Sequence, residues 1–90
     1  MRKLNANEYN EVYSLDEALK VNGFYAMVDN DMRVQAMCIY MVKDGKIYDD
    51  ISLDCGIGSL TNEDFEECED YHFAKLTTDY SEVFRPYGLI

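Results

Sequence analysis

The sequence predicts a small α+β domain, an antiparallel meander of about four strands with two helices on one face, in the order α-β-β-β-α-β. Three observations carry this. Apolar residues alternate with period two between Phe24 and Leu53 and again from Tyr71 to Thr78, two turn signals punctuate the first of these stretches, and two capping signals precede helical stripes. The chain has 90 residues, enough for one domain. A domain of this size buries only about 60 to 65 % of its unfolded surface, so the core is thin and a homodimer would enlarge it. With 48 % hydrophobic residues and a single proline, the chain is too apolar to stay disordered in spite of its charge.

Taken in order, Asn5 to Tyr13 reads as a helix on the spacing of Tyr9, Val12 and Tyr13, although its three asparagines weaken that reading. Ser14 caps the first clear helix. Glu17 completes a capping box, Leu15, Ala18 and Leu19 share a face, and Asn22-Gly23 ends the element. Phe24 to Val28 alternates as a strand that turns at Asp29-Asn30-Asp31. Met32 to Val42 is apolar on both faces and reads as the central strand. The turn Lys43-Asp44-Gly45-Lys46 carries the Asp-Gly hairpin signal and leads into a third strand, Lys46 to Leu53. Asp49 falls on the apolar face of that strand, which suggests a bulge or a sheet edge at Asp49-Asp50.

After the loop Asp54 to Ser59, Thr61 caps a second helix with Asp64 three residues on. At α-helical spacing Thr61, Phe65, Cys68 and His72 face the sheet, while Glu63, Glu66, Glu67 and Asp70 form a ladder toward water. Tyr71 to Thr78 is the fourth strand. Tyr80 to Ile90 is extended or holds a single helical turn before Pro86.

Charge is the most unusual property of the chain. Of a net −10, the stretch from Asp44 to Asp70 holds −9, with ten acids against the lone base Lys46. Such segregation sets the field around the protein and hence the sign of its partner. Direct binding to nucleic acid or to an anionic membrane is not expected, because either requires a basic patch. No signal peptide or apolar span is legible, and three cysteines without framework spacing fit free thiols, so the expected compartment is the cytoplasm.

No motif points to catalysis or to a cofactor. Cys68 and His72 stand four apart, and with Cys55 and either Cys38 or Asp54 they could be drawn as a zinc site; paired short spacings are lacking, so no metal site is expected. Cys55 or Ser59 with His72 as base lacks a supporting pattern, and Gly56-x-Gly58 lacks the length and the basic residue of a phosphate loop. An enzyme is not expected.

The remaining candidate is the acidic surface, comprising Glu63, Glu66, Glu67 and Asp70 together with Asp44, Asp49, Asp50 and Asp54. Carboxylates in rows can imitate phosphates, because a nucleic-acid-binding protein recognises charge before base edges. The bland reading is a solvated face that confers solubility. Short, strongly acidic, single-domain and motif-free over its whole length, the chain resembles small phage-encoded anti-defence proteins, particularly anti-CRISPR proteins and acidic DNA mimics. That resemblance implies a non-enzymatic inhibitor acting in the host cytoplasm. Its partner would be a basic protein surface on a nucleic-acid-binding defence complex, such as a CRISPR effector, whose nucleic-acid site it blocks.

Ser14 to Leu19 with Gly23, and Thr61 to Asp64 with Phe65, Asp70 and Tyr71, are also similar to the opening helix and closing acidic-aromatic motif of the phage domain that sequesters nucleotide signals against Thoeris defence. That likeness implies a small-ligand sponge, which needs Arg33, Lys43, Lys46, Lys75 or Arg85 near a pocket. A third expectation is an antitoxin-like regulator of a basic partner.

Overall fold

The computed structural model describes residues 2–90. It is a small α+β fold built on a five-stranded antiparallel sheet. The strands are β1 (Tyr9–Tyr13), β2 (Gly23–Val28), β3 (Tyr40–Lys43), β4 (Lys46–Asp49) and β5 (His72–Leu76), in spatial order β1-β5-β2-β3-β4. The short helices are α1 (Leu15–Ala18), α2 (Asp50–Asp54) and α3 (Ser81–Phe84), with 3-10 helices at Asn62–Cys68 and Arg85–Tyr87. The order of strands is not a meander: β5, from the C-terminal part of the chain, enters between β1 and β2.

The additional strand is β1, which lies in the segment Asn5 to Tyr13, expected as a helix; Asn5 to Glu8 forms a turn before it, the Glu8 N–H donating to the Asn5 carbonyl at 3.0 Å. β1 pairs Tyr9 with Leu76 and Val12 with Ala74, with one extra residue between them. This bulge places Tyr9 and Val12 on one side at a separation of three, which imitates helical spacing. Tyr9 packs on one side of the sheet and Tyr13 on the other.

Strand alternation divides the core in two. Tyr25, Met27, Tyr40, Val42, Ile47 and Phe73 point to one face, where Ala18 of α1 and Phe65 of the 3-10 helix close over them. Ala26, Val28, Ala74 and Leu76 point to the other face with Leu4 of the N-terminal segment. Phe24 stacks on Phe84 with ring centres 5.9 Å apart and meets Tyr80 edge-on at 6.1 Å, so α3 lies on that second face. The helices therefore cover both faces rather than one. A sheet only five strands wide with one face bare would expose too much apolar surface.

Only the end of the expected central strand Met32 to Val42 is regular, and β2 occupies the centre instead. Tyr25 opposes Tyr40 in the ladder while Val28 bridges Val34, so five residues, Gln35 to Ile39, oppose two, Ala26 and Met27. The surplus is an outward excursion whose tip, Met37, is fully exposed. At its turn, Asp29 Oδ1 accepts the N–H groups of Asp31 (2.8 Å) and Arg33 (3.0 Å), which confirms the expected reversal at Asp29 to Asp31.

The Asp44-Gly45 hairpin forms as expected, with φ of +52° and +82°, the mirror-image turn that matches strand twist. A Cβ on Gly45 would meet nothing within 4 Å, so the only cost of adding one is backbone conformation. Gly45→Ala should destabilise the fold by about 1–2 kcal/mol. Thermal denaturation followed by circular dichroism should show a melting temperature lower by roughly 4 °C or more.

The third strand ends at Asp49 and does not reach Leu53. Asp49 becomes the cap of α2, its Oδ1 accepting the Ser52 N–H at 2.6 Å and its Oδ2 the Ser52 hydroxyl at 3.0 Å. The expected irregularity at Asp49-Asp50 is present, as a strand-to-helix switch on the edge strand. Leu60 bridges Ile47 along the outer side of β4 and shields that edge.

Candidate functional site

The Ser14–Glu17 and Thr61–Asp64 signals both mark helix starts. Glu17 accepts the Ser14 N–H at 2.9 Å, and Asp64 accepts the Thr61 N–H at 2.7 Å and hydroxyl at 3.2 Å. The second helix is a 3-10 helix, with three residues per turn instead of 3.6. Residues three apart then superimpose. Phe65 is buried and Cys68 half-buried, with Asn62 on the same row; the two outer rows are Glu63, Glu66, Glu69 and Asp64, Glu67, Asp70.

This revises the expected ladder. Glu63 and Glu66 stay together, Glu67 and Asp70 form the neighbouring row, and Glu69, not among the expected site residues, joins the first. The spacing Asn62, Phe65, Cys68 could have signalled the tighter helix. His72 is not on this stripe: it begins β5, and its ring nitrogen Nε2 lies 3.0 Å from Asn30 Oδ1.

What anchors this acidic helix is aromatic. Phe65 sits 5.8 Å from Tyr40 and 5.5 Å from Phe73, with Tyr40 and Phe73 5.6 Å apart, all in tilted or edge-on geometry. Such pairs add about 0.5–1.5 kcal/mol each beyond burial. They offset the repulsion of like charges stacked on a 3-10 helix. Burial also pushes the Tyr40 hydroxyl far above its ordinary pKa, so it stays a neutral hydrogen-bond donor.

Glu63, Glu66, Glu67, Glu69 and Asp70 are exposed. Among the described residues the ion pairs are Arg2–Glu8, Arg33–Asp31 at 3.7 Å and Arg85–Glu82, so no base neutralises the acidic rows. Their repulsion should make stability rise with salt. Raising ionic strength from ~10 mM to ~150 mM shortens the screening length from ~30 Å to ~8 Å, and the melting temperature should rise. A fall would mean that the three exposed ion pairs outweigh the acidic rows, although such pairs contribute only about 0–1 kcal/mol each.

The other four expected acids do not form one surface with these. Asp49 is only 7 % exposed and turned inward as a cap. Asp50 is half-buried, its Oδ1 accepting the Ile39 N–H at 3.2 Å. Asp54 is exposed and lies 3.5 Å from the Tyr87 hydroxyl. Partial desolvation, then the Asp54 charge, holds that phenol above its ordinary pKa. Asp44 is exposed at the hairpin tip, the opposite end of β4 from Asp49 and about 10 Å along the strand.

Two clefts flank the sheet. One, about 470 Å³, is walled by Leu4, Val34, Ile39, Leu76 and Tyr80, with Arg2 at its side already paired to Glu8. The other, about 300 Å³, runs beside the 3-10 helix and includes Asp16, Glu69 and His72. None of Arg33, Lys43, Lys46, Lys75 or Arg85 lines either cleft; the base that does is Arg2, on the larger one. No protein-family model, curated protein or solved structure matches this chain. No helix among the described residues is long and apolar enough to cross a membrane.

The cysteines do not group as the sequence spacing would draw them. Cys55 is exposed at the end of α2 and Cys68 packs at the edge of the first core. Cys38, carried in by the excursion between Val34 and Tyr40, lies instead beside Asp49 and Asp50, with all donor atoms within 4.8 Å of one another. No sequence spacing announces this group, because the register shift assembles it.

Proposed function

We propose that the chain is a non-enzymatic acidic inhibitor of the phage anti-CRISPR type, binding a basic nucleic-acid site on a bacterial defence complex and excluding nucleic acid from it. The observation that carries this reading is the 3-10 helix Asn62–Cys68, whose two outer rows and following turn present Glu63, Glu66, Glu67, Glu69 and Asp70 to solvent with no basic partner among the described residues. Each carboxylate can accept paired hydrogen bonds from an arginine-lined groove, as a phosphate does. The aromatic triad beneath holds the rows in place, so less ordering entropy is lost on binding.

The test is recovery of the tagged protein's partner from bacterial lysate at low and at high salt, with identification by mass spectrometry. A CRISPR effector or another nucleic-acid-binding complex should be retained at low salt and released by competing DNA or RNA. Recovery of a partner that nucleic acid does not displace would sink the groove-blocking mechanism. A protein that instead carries a small nucleotide, released on denaturation, would establish the sponge.

A further inference from the structure

We infer that Cys38, Asp49 and Asp50 bind one borderline divalent cation, zinc or a first-row ion of similar size. This inference is independent of the inhibitor reading. One sulfur and two carboxylate oxygens from separate parts of the chain converge within 4.8 Å of one another. Ligand atoms on a tetrahedral zinc stand about 3.5 Å apart, given metal distances of about 2.3 Å to sulfur and 2.0–2.2 Å to oxygen. Side-chain rotations that move these atoms by about 1 Å would close the set.

Two further features of the cluster point to a cation. First, every hydrogen bond placed on the three side chains is donated to them: Asp49 accepts from the Ser52 N–H and hydroxyl, and Asp50 from the Ile39 N–H. Outer groups of this kind orient metal ligands. Second, the ligand atoms converge where water is scarce, Asp49 being 7 % and Cys38 9 % exposed, and none of the ion pairs among the described residues reaches the two carboxylates. A buried carboxylate such as Asp49 gains from a nearby counter-charge. The excursion from Gln35 to Ile39 supplies both the thiol and the N–H that fixes Asp50. A thiolate among the ligands favours zinc or cobalt over calcium or magnesium, which take oxygen sets.

The experiment uses the full chain, stripped with chelator and kept reduced, titrated with Co²⁺ alone. One equivalent should bind with a thiolate-to-cobalt charge-transfer band in the near ultraviolet, and one equivalent of Zn²⁺ should abolish that band. Cys38→Ser should remove it, the double variant Cys55→Ser, Cys68→Ser should keep it, and Asp50→Asn should weaken binding by at least about tenfold. Asp50 is only half-buried, so its variant tests the site even if Cys38→Ser fails to fold. No saturable single equivalent, a band that survives Cys38→Ser, or Ca²⁺ competing as well as Zn²⁺ would each overturn the site, the last leaving an adventitious ion only.

Discussion

Replacing Glu63, Glu66, Glu67 and Asp70 together by lysine should lower affinity for the captured complex by more than about 100-fold while the domain stays folded. The four side chains are exposed and take part in no ion pair among the described residues, so their reversal breaks none. It relieves repulsion, moving the net charge from −10 to −2, since each exchange adds two. Close interfacial charge pairs measured elsewhere couple by about 1.5–7 kcal/mol, so four reversals exceed a 100-fold effect unless the partner avoids this helix. The control makes the same charge change at Glu11, Asp31, Asp79 and Glu82, none of which lines the cleft beside the 3-10 helix. Both variants are read by binding and by inhibition of the captured complex. Equal weakening by the two sets would mean that only net charge matters. A folded quadruple variant that inhibits normally would remove the acidic rows from the mechanism.

Phe73→Ala should remove a large share of the chain's stability. Phe73 is 2 % exposed on β5, the strand that joins β1 to the rest of the sheet, and its ring contacts both Tyr40 and Phe65. Truncating a buried phenylalanine costs about 3–5 kcal/mol. A domain of this size has about 5–13 kcal/mol in all, at ~0.05–0.15 kcal/mol per residue. The loss also uncouples the acidic helix, because Phe65 would face a cavity. Urea denaturation should place the midpoint of Phe73→Ala far below that of the parent. A shift equivalent to less than about 1 kcal/mol would show that the triad does not hold the two halves together.

Local signals in the sequence were reliable where the chemistry was local. Ser14–Glu17, Thr61–Asp64 and Asp44-Gly45 act through atoms within three or four residues, and all three produce the expected helix starts and hairpin turn. Periodicity was less reliable. The bulge in β1 made a strand resemble a helix, and Phe65 and Cys68, which share a 3-10 row with Asn62, also fit an α-helical stripe with Thr61 and His72. Asp49 sat on an apolar face because it caps α2, which alternation alone does not reveal.

By itself, then, the sequence determined an α+β class, the helix starts, the tight hairpin, and an acidic stretch carrying nearly all the net charge. Those features depend on backbone conformation and side-chain charge close along the chain. The tertiary structure alone decided that β5 separates β1 from β2, that helices cover both faces, and that the excursion after Val34 brings Cys38 to Asp49 and Asp50. Each of these is a pairing between distant segments, selected by which arrangement buries the most apolar surface while satisfying the ladder, and that balance is a property of the whole chain.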